Sequence, residues 1–165
     1  MSKIKKQTYI ALLVAIAVIG SSFLWFPAGV AKAFPVQHAV NVIAGVLLGP
    51  VPAVIIAFLT GLIRNFMGTG SLLAFPGGMI GAFLAGYLYR KMKRTWAASA
   101  GEIIGSGLIA PLFAVPYAAL LLGTSAGAFF YIPAFLVSSL SGALLGYLIV
   151  TRIKKSRAWK YDTDS

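Results

Sequence analysis

Long stretches without a charged side chain dominate the pattern of this chain. Residues 7–31, 33–63, 65–89 and 103–151 contain no Asp, Glu, Lys or Arg. A helix needs about 20 consecutive apolar residues to cross the hydrocarbon core of a bilayer, and each stretch is long enough for one or two such helices. The pattern predicts an all-α integral membrane protein in which short polar segments join six apolar helices.

The six predicted helices form a single membrane domain over residues 1–165. Gly49-Pro50-Val51-Pro52 separates the second helix from the third, because proline cannot continue a helix interior. At about 1.5 Å per residue these two helices are shorter than the bilayer core, so they form either two short spans or a re-entrant hairpin. Either arrangement returns the chain to the same side of the membrane. The expected spans are 7–26, 36–49, 51–66, 72–89, 95–122 and 128–150.

Lysine and arginine are distributed unevenly over the two ends of these helices. Twelve of the 14 basic residues fall at the N-terminus, after the fourth helix and in the C-terminal tail, all on one side of the membrane. Only Lys32 and Arg64 fall on the other side. Because loops rich in Lys and Arg stay in the cytoplasm, we expect both termini to be cytoplasmic and the protein to lie in the cell membrane. The segments 25–36 and 64–71 then face outwards.

Composition narrows the class of protein further. Charged residues number 17 of 165 and the mean hydropathy is +0.91, whereas about a quarter of the residues of a soluble domain are charged. The net charge of +11 is confined to short clusters, which disfavours nucleic-acid binding because that needs a continuous basic surface. One histidine, one acid within a span and no cysteine are too few ligands for a metal site, and no phosphate-binding loop motif occurs. Neither catalysis nor a cofactor is expected.

The few polar residues inside the apolar segments gather near the predicted outer ends of the helices. A polar side chain at membrane depth costs free energy unless it is paired, so such residues commonly mark a binding site or a pathway. His38 and Asn41 share one face of the second helix because they are three residues apart. We expect them to form one wall of a small-molecule site, with residues 25–35 as a loop across its mouth. The candidate binding residues are Trp25, Gln37, His38, Asn41, Asn65, Phe75, Glu102, Ser106 and Tyr117.

Three of these candidates lie on the fifth helix. Glu102 precedes Ser106 by one turn, and Ser106 and Tyr117 are eleven residues apart, which gives them nearly the same angle on a helix. Glu102 either faces a ligand at the bottom of the cavity or pairs with the basic cluster at 90–94. Alternatively, His38 is a histidine at the start of a helix whose ring forms its hydrogen bonds within the chain rather than with a ligand. Arg64 is most simply an anchor at the membrane interface.

Small residues recur at a spacing of four on several helices. Such pairs allow helices to approach closely in lipid, where packing drives helix association. For most pairs the expected role is packing inside the bundle, whereas Ala11 and Ala15 on the first helix can instead offer a smooth face to another subunit. The other pairs are Gly81 and Ala85, Ala82 and Gly86, Gly101 and Gly105, and Gly142 and Gly146.

Two segments of the chain resemble the ThiW family. They are PVQHAVNVIAGVLLGP at residues 35–50 and IRNFMGTGSLLAFPGG at residues 63–78. Members of this family are substrate-binding S components of energy-coupling-factor (ECF) transporters, linked to uptake of the thiamine precursor hydroxyethylthiazole. The resemblance implies a six-helix bundle of the S-component type, which captures its ligand from outside under a loop between the first and second helices.

The ligand implied by this resemblance suits the candidate residues. Hydroxyethylthiazole has a flat ring, a ring nitrogen that accepts a hydrogen bond and a hydroxyl group. Pockets for such molecules are mostly apolar, with a few polar groups. The aromatic residues expected to stack on the ring are Trp25, Phe34, Phe75 and Tyr117.

The resemblance also implies partners. An S component works in the lipid bilayer with a transmembrane coupling protein and two cytoplasmic ABC-type ATPases, and it docks on the coupling protein through an A-x-x-x-A face of its first helix. That pattern falls on Ala11 and Ala15. The residues alone leave open a stand-alone facilitator or proton-coupled carrier with Glu102 as proton relay, and an assembly subunit without a ligand. They also leave open whether the ligand is the thiazole, the pyrimidine, whole thiamine or another vitamin.

Overall fold

The computed structural model describes residues 1–29, 31–72, 75–123 and 127–156. Most of the described chain is helical, and a short hairpin follows the first helix. A π-helical segment, Ile103–Ile109, joins α5 to α6 without a break. The elements are α1 (Lys3–Phe23), β1 (Phe26–Ala28), β2 (Ala31–Ala33), α2 (Pro35–Leu47), α3 (Pro50–Phe66), α4 (Phe75–Met92), α5 (Thr95–Glu102), α6 (Ala110–Leu122) and α7 (Ala128–Lys155).

The segment expected as a loop across the cavity mouth contains an antiparallel β-hairpin. The first helix ends at Phe23, earlier than expected, and Gly29 turns the hairpin with a φ of +64°, a left-handed conformation that glycine adopts without strain. The described part of the fourth helix runs from Phe75 to Met92. The hairpin packs on α7 through a small apolar cluster of Ala28, Ala33 and Ala134.

Helix α2 lies at the centre of the bundle. It contacts α1, α3, α4, α5 and α7, and residues 39–46 are buried on every side. A helix that is apolar all round is expected in such a position. Glycine allows the close contacts, because Gly146 of α7 lies against Ala39, and Gly45 lies against the backbone of Gly86 on α4.

The predicted fifth span, which comprises α5, the π-helical segment and α6, departs from regular α geometry in its middle part. The backbone N–H of Ala110 reaches back five residues to the carbonyl of Gly105. Pro111 favours this change, because a proline ring clashes with the carbonyl four residues earlier and supplies no N–H donor. Such π-helical turns are frequent at functional sites.

Gly101 and Gly105 pack on the backbone of α4, so the internal packing expected for that pair is confirmed.

Three of the described helices are long and apolar enough to cross a bilayer, namely α1, the rod through α5 and α6, and α7. Helices α2 and α3 are apolar but have only 13 and 17 residues. Large apolar side chains project from the outside of the bundle, which suits contact with lipid. They include Leu12, Ile19, Phe23, Phe58, Phe83, Leu112, Phe129 and Leu148. The protein is thus a helical membrane protein, while the number of spans stays a prediction.

Basic residues from different helices meet at one end of the bundle. Lys154 of α7 donates to the hydroxyl groups of Tyr89 at 2.8 Å and Thr95 at 3.1 Å. Arg90, near the end of α4, lies against Gly49 in the turn between α2 and α3. This basic end is the end that the charge distribution predicts to be cytoplasmic.

Candidate functional site

A cavity of about 660 Å³ lies at the end of the bundle opposite the basic end. Its volume is within the range of about 300–1,000 Å³ that is typical of small-molecule sites. The walls come from the ends of α1, α2 and α4, the hairpin, the segment after α3, the π-helical segment and the N-terminal half of α7. The lining residues are Ser21, Ser22, Trp25, Ala31, Lys32, Phe34, Gln37, His38, Gly68, Thr69, Gly70, Ser71, Gly77, Gly78, Ser106, Phe130, Tyr131, Ala134, Phe135 and Ser138.

Glu102 is the centre of a hydrogen-bond network behind the cavity wall. Its side chain is fully buried, and its Oε1 atom accepts from Asn41 Nδ2 at 3.0 Å and from Ser106 Oγ at 2.8 Å. His38 Nδ1 lies 2.7 Å from the same oxygen. Asn41 also donates to the carbonyl of Gly78 at 3.2 Å. These contacts replace the water that Oε1 loses on burial, whereas Oε2 is buried without a hydrogen-bond partner among the described residues.

A second network joins α2 to the end of α3. Arg64 is buried and donates through Nη1 to Gln37 Oε1 and through Nη2 to the carbonyl of Thr69, the latter at 2.7 Å. Its guanidinium also lies over the ring of Phe34, with Cζ 3.9 Å from the ring centroid. A buried arginine needs such partners because an unpaired buried charge is strongly destabilising. The expectation that Arg64 is simply an interfacial anchor is therefore wrong, since its side chain supports the cavity wall.

The open end of the hairpin contacts α7 beside the cavity. The backbone N–H of Phe34 donates to Ser138 Oγ at 2.8 Å, which ties the end of the hairpin to α7. At the same end, and within the hairpin segment itself, Lys32 Nζ lies 4.0 Å from the centroid of the Trp25 ring, a cation–π contact. The segment predicted to cross the mouth thus contributes both aromatic and basic groups to the wall.

Four of the nine predicted binding residues line the cavity. Asn41 and Glu102 lie behind the wall instead, because their polar atoms bond to each other and to the side chains of wall residues. The alternative in which Glu102 pairs with the basic cluster at 90–94 is wrong, since its partners belong to this network. The predicted residues on the wall are Trp25, Gln37, His38 and Ser106.

Two other predicted residues have partners away from the cavity. Asn65 Nδ2 donates to the carbonyl of Gly61 in its own helix at 2.8 Å. Phe75 packs edge to face on Phe58, with 5.5 Å between the ring centroids. Neither residue lines the cavity, so the structure corrects their expected positions on its wall. The Tyr117 side chain lies outside the part of the chain that the structure describes.

Helix α7 contributes a wall that sequence reasoning missed. The sequence carries a signal for it, because Ala134 and Ser138 continue the small pair Gly142 and Gly146 towards the N-terminus at the same spacing of four. This face packs on the first turns of α2. Following the stripe from its packed glycines towards the start of α7 leads into the cavity, where the lining residues are Phe130, Tyr131, Ala134, Phe135 and Ser138.

Ala11 and Ala15 do not line this cavity and lie on the exposed face of α1. They line an apolar groove of about 530 Å³ between α1 and α3. The smooth face predicted for the first helix is therefore on the outside of the bundle. The other groove residues are Gln7, Ile10, Val14, Val18, Ile19, Leu59 and Ile63.

The fold and the cavity together define the class of protein. A bundle of apolar helices with an apolar exterior, which holds a small-molecule cavity at one end, is typical of membrane transport proteins. The chain belongs to the ThiW family, because the model of this family, described as thiamine-precursor transporter protein, matches residues 7–156. This match confirms the resemblance seen in residues 35–50 and 63–78 and assigns the chain a membrane transport role with a small-molecule ligand. A search of the curated proteins finds no match.

Proposed function

We propose that this protein is the substrate-binding subunit of an ATP-driven ECF importer and that it captures hydroxyethylthiazole from outside the cell. The observation that carries the proposal is the cavity, in a member of a family of thiamine-precursor transporters. Trp25, Phe34 and Phe130 offer flat apolar surfaces to a ring. Gln37 and His38 offer hydrogen-bonding groups, so the wall has the composition expected for a heteroaromatic alcohol.

The charges around the cavity favour a neutral thiazole over thiamine, whose thiazolium ring is permanently cationic. Lys32 lines the cavity, and Arg64 lies directly behind Gln37. None of the described lining residues is acidic, and Glu102 is fully buried behind the wall. A cationic ligand would meet the positive charge of Lys32 without an acidic side chain among the described lining residues to oppose it, in an environment of low dielectric constant, whereas Arg64 and Glu102 both lie behind the wall.

Calorimetric titration of the purified protein in nanodiscs tests the ligand. Hydroxyethylthiazole, hydroxymethylpyrimidine and thiamine are compared under the same conditions. We expect hydroxyethylthiazole to bind at least about tenfold more tightly than thiamine, a difference of about 1.4 kcal/mol. Failure of all three to bind would overturn the proposed ligand class, and tighter binding of thiamine would overturn the argument from charge.

The proposal includes a single domain of six spans, with both termini in the cytoplasm of the cell and the cavity open to the outside. It is supported by the separation of the cavity from the basic end, where Lys154 and Arg90 lie. Short helices such as α2 and α3 can span a membrane where the bilayer thins locally or where long flanking side chains reach the interface.

For its partners, we propose a transmembrane coupling protein that docks on the groove of Ala11 and Ala15, and two cytoplasmic ATPases. Small side chains on an exposed helix face let another helix approach closely in lipid. The groove supports this role because its lining is almost wholly apolar and lies on the outer surface of α1.

Dependence on ATPases separates this proposal from a stand-alone carrier. Uptake of labelled hydroxyethylthiazole is measured in proteoliposomes that contain this protein alone or together with a coupling protein and two ATPases. We expect uptake only in the complete assembly and only with ATP. Uptake by the protein alone under a pH gradient would overturn the ECF assignment and favour a proton-coupled carrier with the His38–Glu102 pair as its relay.

A further inference from the structure

Two buried side chains behind the cavity wall each bond to one of two neighbouring wall residues. Arg64 bonds to Gln37, and Glu102 bonds to His38. Each of these wall residues has two possible hydrogen-bond polarities, because an amide has a donor end and an acceptor end and a neutral imidazole has one N–H and one bare nitrogen. The buried partner therefore decides which end is left for the cavity.

Arg64 determines the orientation of the Gln37 amide. A guanidinium has only N–H donors, so the atom of Gln37 that faces Arg64 is the carbonyl oxygen. The contacts of Arg64 with the Thr69 carbonyl and the Phe34 ring hold the guanidinium in place. Gln37 Nε2 then lies on the other side of the amide, against Gly78, which lines the cavity. Gln37 thus presents an N–H donor to the cavity.

Glu102 acts on His38 in the opposite sense. Its Oε1 atom accepts an N–H of Asn41, so we assign the proton of the short contact between this oxygen and His38 to Nδ1. Ser106 Oγ lies 2.8 Å from the same oxygen and 3.1 Å from the carbonyl of Gly77. A hydrogen-bond acceptor at one ring nitrogen selects the imidazole tautomer that carries its proton on that nitrogen. In the neutral ring Nε2 is then bare, and His38, whose side chain keeps 13% exposure, presents an acceptor to the cavity.

We propose that Arg64 and Glu102 are positioning residues that fix the polarity of the site, so that Gln37 donates to the ligand and His38 accepts from it. The inference rests on the proposed function and defines the ligand class more closely. The ligand is a neutral heteroaromatic molecule whose ring nitrogen accepts from Gln37 and whose hydroxyl group donates to His38. A molecule that lacks either group leaves a buried polar atom without a partner, which costs binding free energy.

The tautomer of His38 is measured directly by nitrogen-15 NMR, because the chain has a single histidine. In histidine-labelled protein without ligand, at mildly alkaline pH, we expect a protonated Nδ1 and a bare Nε2. Glu102→Ala is expected to lose this preference, whereas the matched control Ser99→Ala keeps it. Ser99 is also a buried residue of α5, but its hydroxyl donates to the carbonyl of Ala143. A protonated Nε2 in the wild-type protein, or an unchanged tautomer in folded Glu102→Ala protein, would overturn the inference.

Three probes test the polarity from the side of the ligand. They are hydroxyethylthiazole, its O-methyl ether, which has no donor, and the thiophene analogue, in which CH replaces the ring nitrogen. In the wild-type protein we expect each modification to weaken binding by about tenfold or more. His38→Phe should abolish the penalty for methylation and keep that for loss of the nitrogen. Arg64→Met should reduce the penalty for loss of the nitrogen and keep that for methylation, because the Gln37 amide is then free to turn and is no longer forced to leave its donor unpaired.

The two sets of measurements separate this inference from the proposed function. A purely structural role of Arg64 would weaken all three probes equally, and that result would overturn the inference. If hydroxyethylthiazole binds no more tightly than its analogues, the proposed function stands and the inference is wrong. If no probe binds, the proposed function and the ligand class fall together, and the wild-type tautomer still decides whether Glu102 positions His38.

Discussion

His38 and Asn41 show how residues of one helix face take different roles at the site. His38 lines the cavity, whereas Asn41 bonds to Glu102 and Gly78 behind it. His38 contacts Glu102, and Asn41 donates a hydrogen bond to the same carboxyl oxygen of Glu102. Removing either one therefore disturbs the same hydrogen-bond network.

His38→Ala and Asn41→Ala are each expected to weaken hydroxyethylthiazole binding by about tenfold or more, about 1.4 kcal/mol. The first removes a ligand contact, and the second removes a donor from Glu102. Calorimetric titration of both variants measures the effect, with Ser99→Ala as control. Wild-type affinity in both variants would exclude this wall from the site.

Gly81 adjoins the same network from α4. A Cβ atom at this position would overlap Ser106 Oγ and lie 2.7 Å from Glu102 Oε2. Gly81→Ala should therefore displace both side chains and destabilise the protein by about 1–3 kcal/mol, as overpacking does elsewhere. The melting temperature in detergent measures this loss. Gly127→Ala is the control, since no atom of the described residues lies within 4 Å of its added Cβ, and an equal loss in both variants would contradict the argument.

Among the elements, α7 and the hairpin depend on each other. The bond from Phe34 N–H to Ser138 Oγ and the alanine cluster of Ala28, Ala33 and Ala134 join them. A hairpin of two three-residue strands has little stability of its own, so its position over the cavity relies on these contacts.

Ser138→Ala is expected to speed the release of hydroxyethylthiazole, because the hairpin loses its bond to α7. Loss of one such bond, worth about 0.5–1.5 kcal/mol, corresponds to roughly a two- to tenfold faster dissociation rate. Stopped-flow displacement measures this rate. Ser141→Ala serves as control, because the Ser141 hydroxyl bonds to the carbonyls of Val137 and Ser138 in its own helix rather than to the hairpin. Equal rates in the two variants would show that the bond does not hold the hairpin.

Across the whole molecule, the cavity and the basic residues lie at opposite ends, which makes the orientation testable. The chain has no cysteine, so single cysteines can be introduced without a background. Met67 after α3 and Met92 at the end of α4 are 56% and 42% exposed. A membrane-impermeant thiol reagent should label Met67→Cys in intact cells and Met92→Cys only after permeabilisation. The opposite pattern would reverse the proposed topology.

The groove on α1 concerns the assembly of the whole protein with its proposed partners. Ala11→Trp and Ala15→Trp are expected to prevent co-purification with the coupling protein, because a bulky side chain fills the groove, and to leave ligand binding intact. Ile16→Trp is the matched control, since Ile16 is exposed on α1 but does not line the groove. Unchanged co-purification of both alanine variants would refute docking at this face.

The angle of a side chain around its helix decided most of the corrections to the predicted site. Arg64 and Asn65 are adjacent in sequence, yet Arg64 turns towards Gln37 while Asn65 bonds within α3. A step of one residue rotates the side chain by about 100°, so the polar character of a helix end does not tell which residue faces the cavity. The contribution of α7 was hidden for a related reason, because its wall is made of small and aromatic residues that packing alone would also use.

The apolar helices, the uneven distribution of basic residues and the family could all be predicted from the amino-acid sequence, because they depend on hydropathy, charge and local motifs. It also indicated Gln37, His38 and Ser106 as polar groups of one site. The positions of Glu102 and Arg64 behind the cavity wall, and the contribution of α7 to that wall, became visible in the folded chain alone. Those facts depend on how helices rotate and cross when their glycine faces pack, and such contacts join residues that are far apart in the chain.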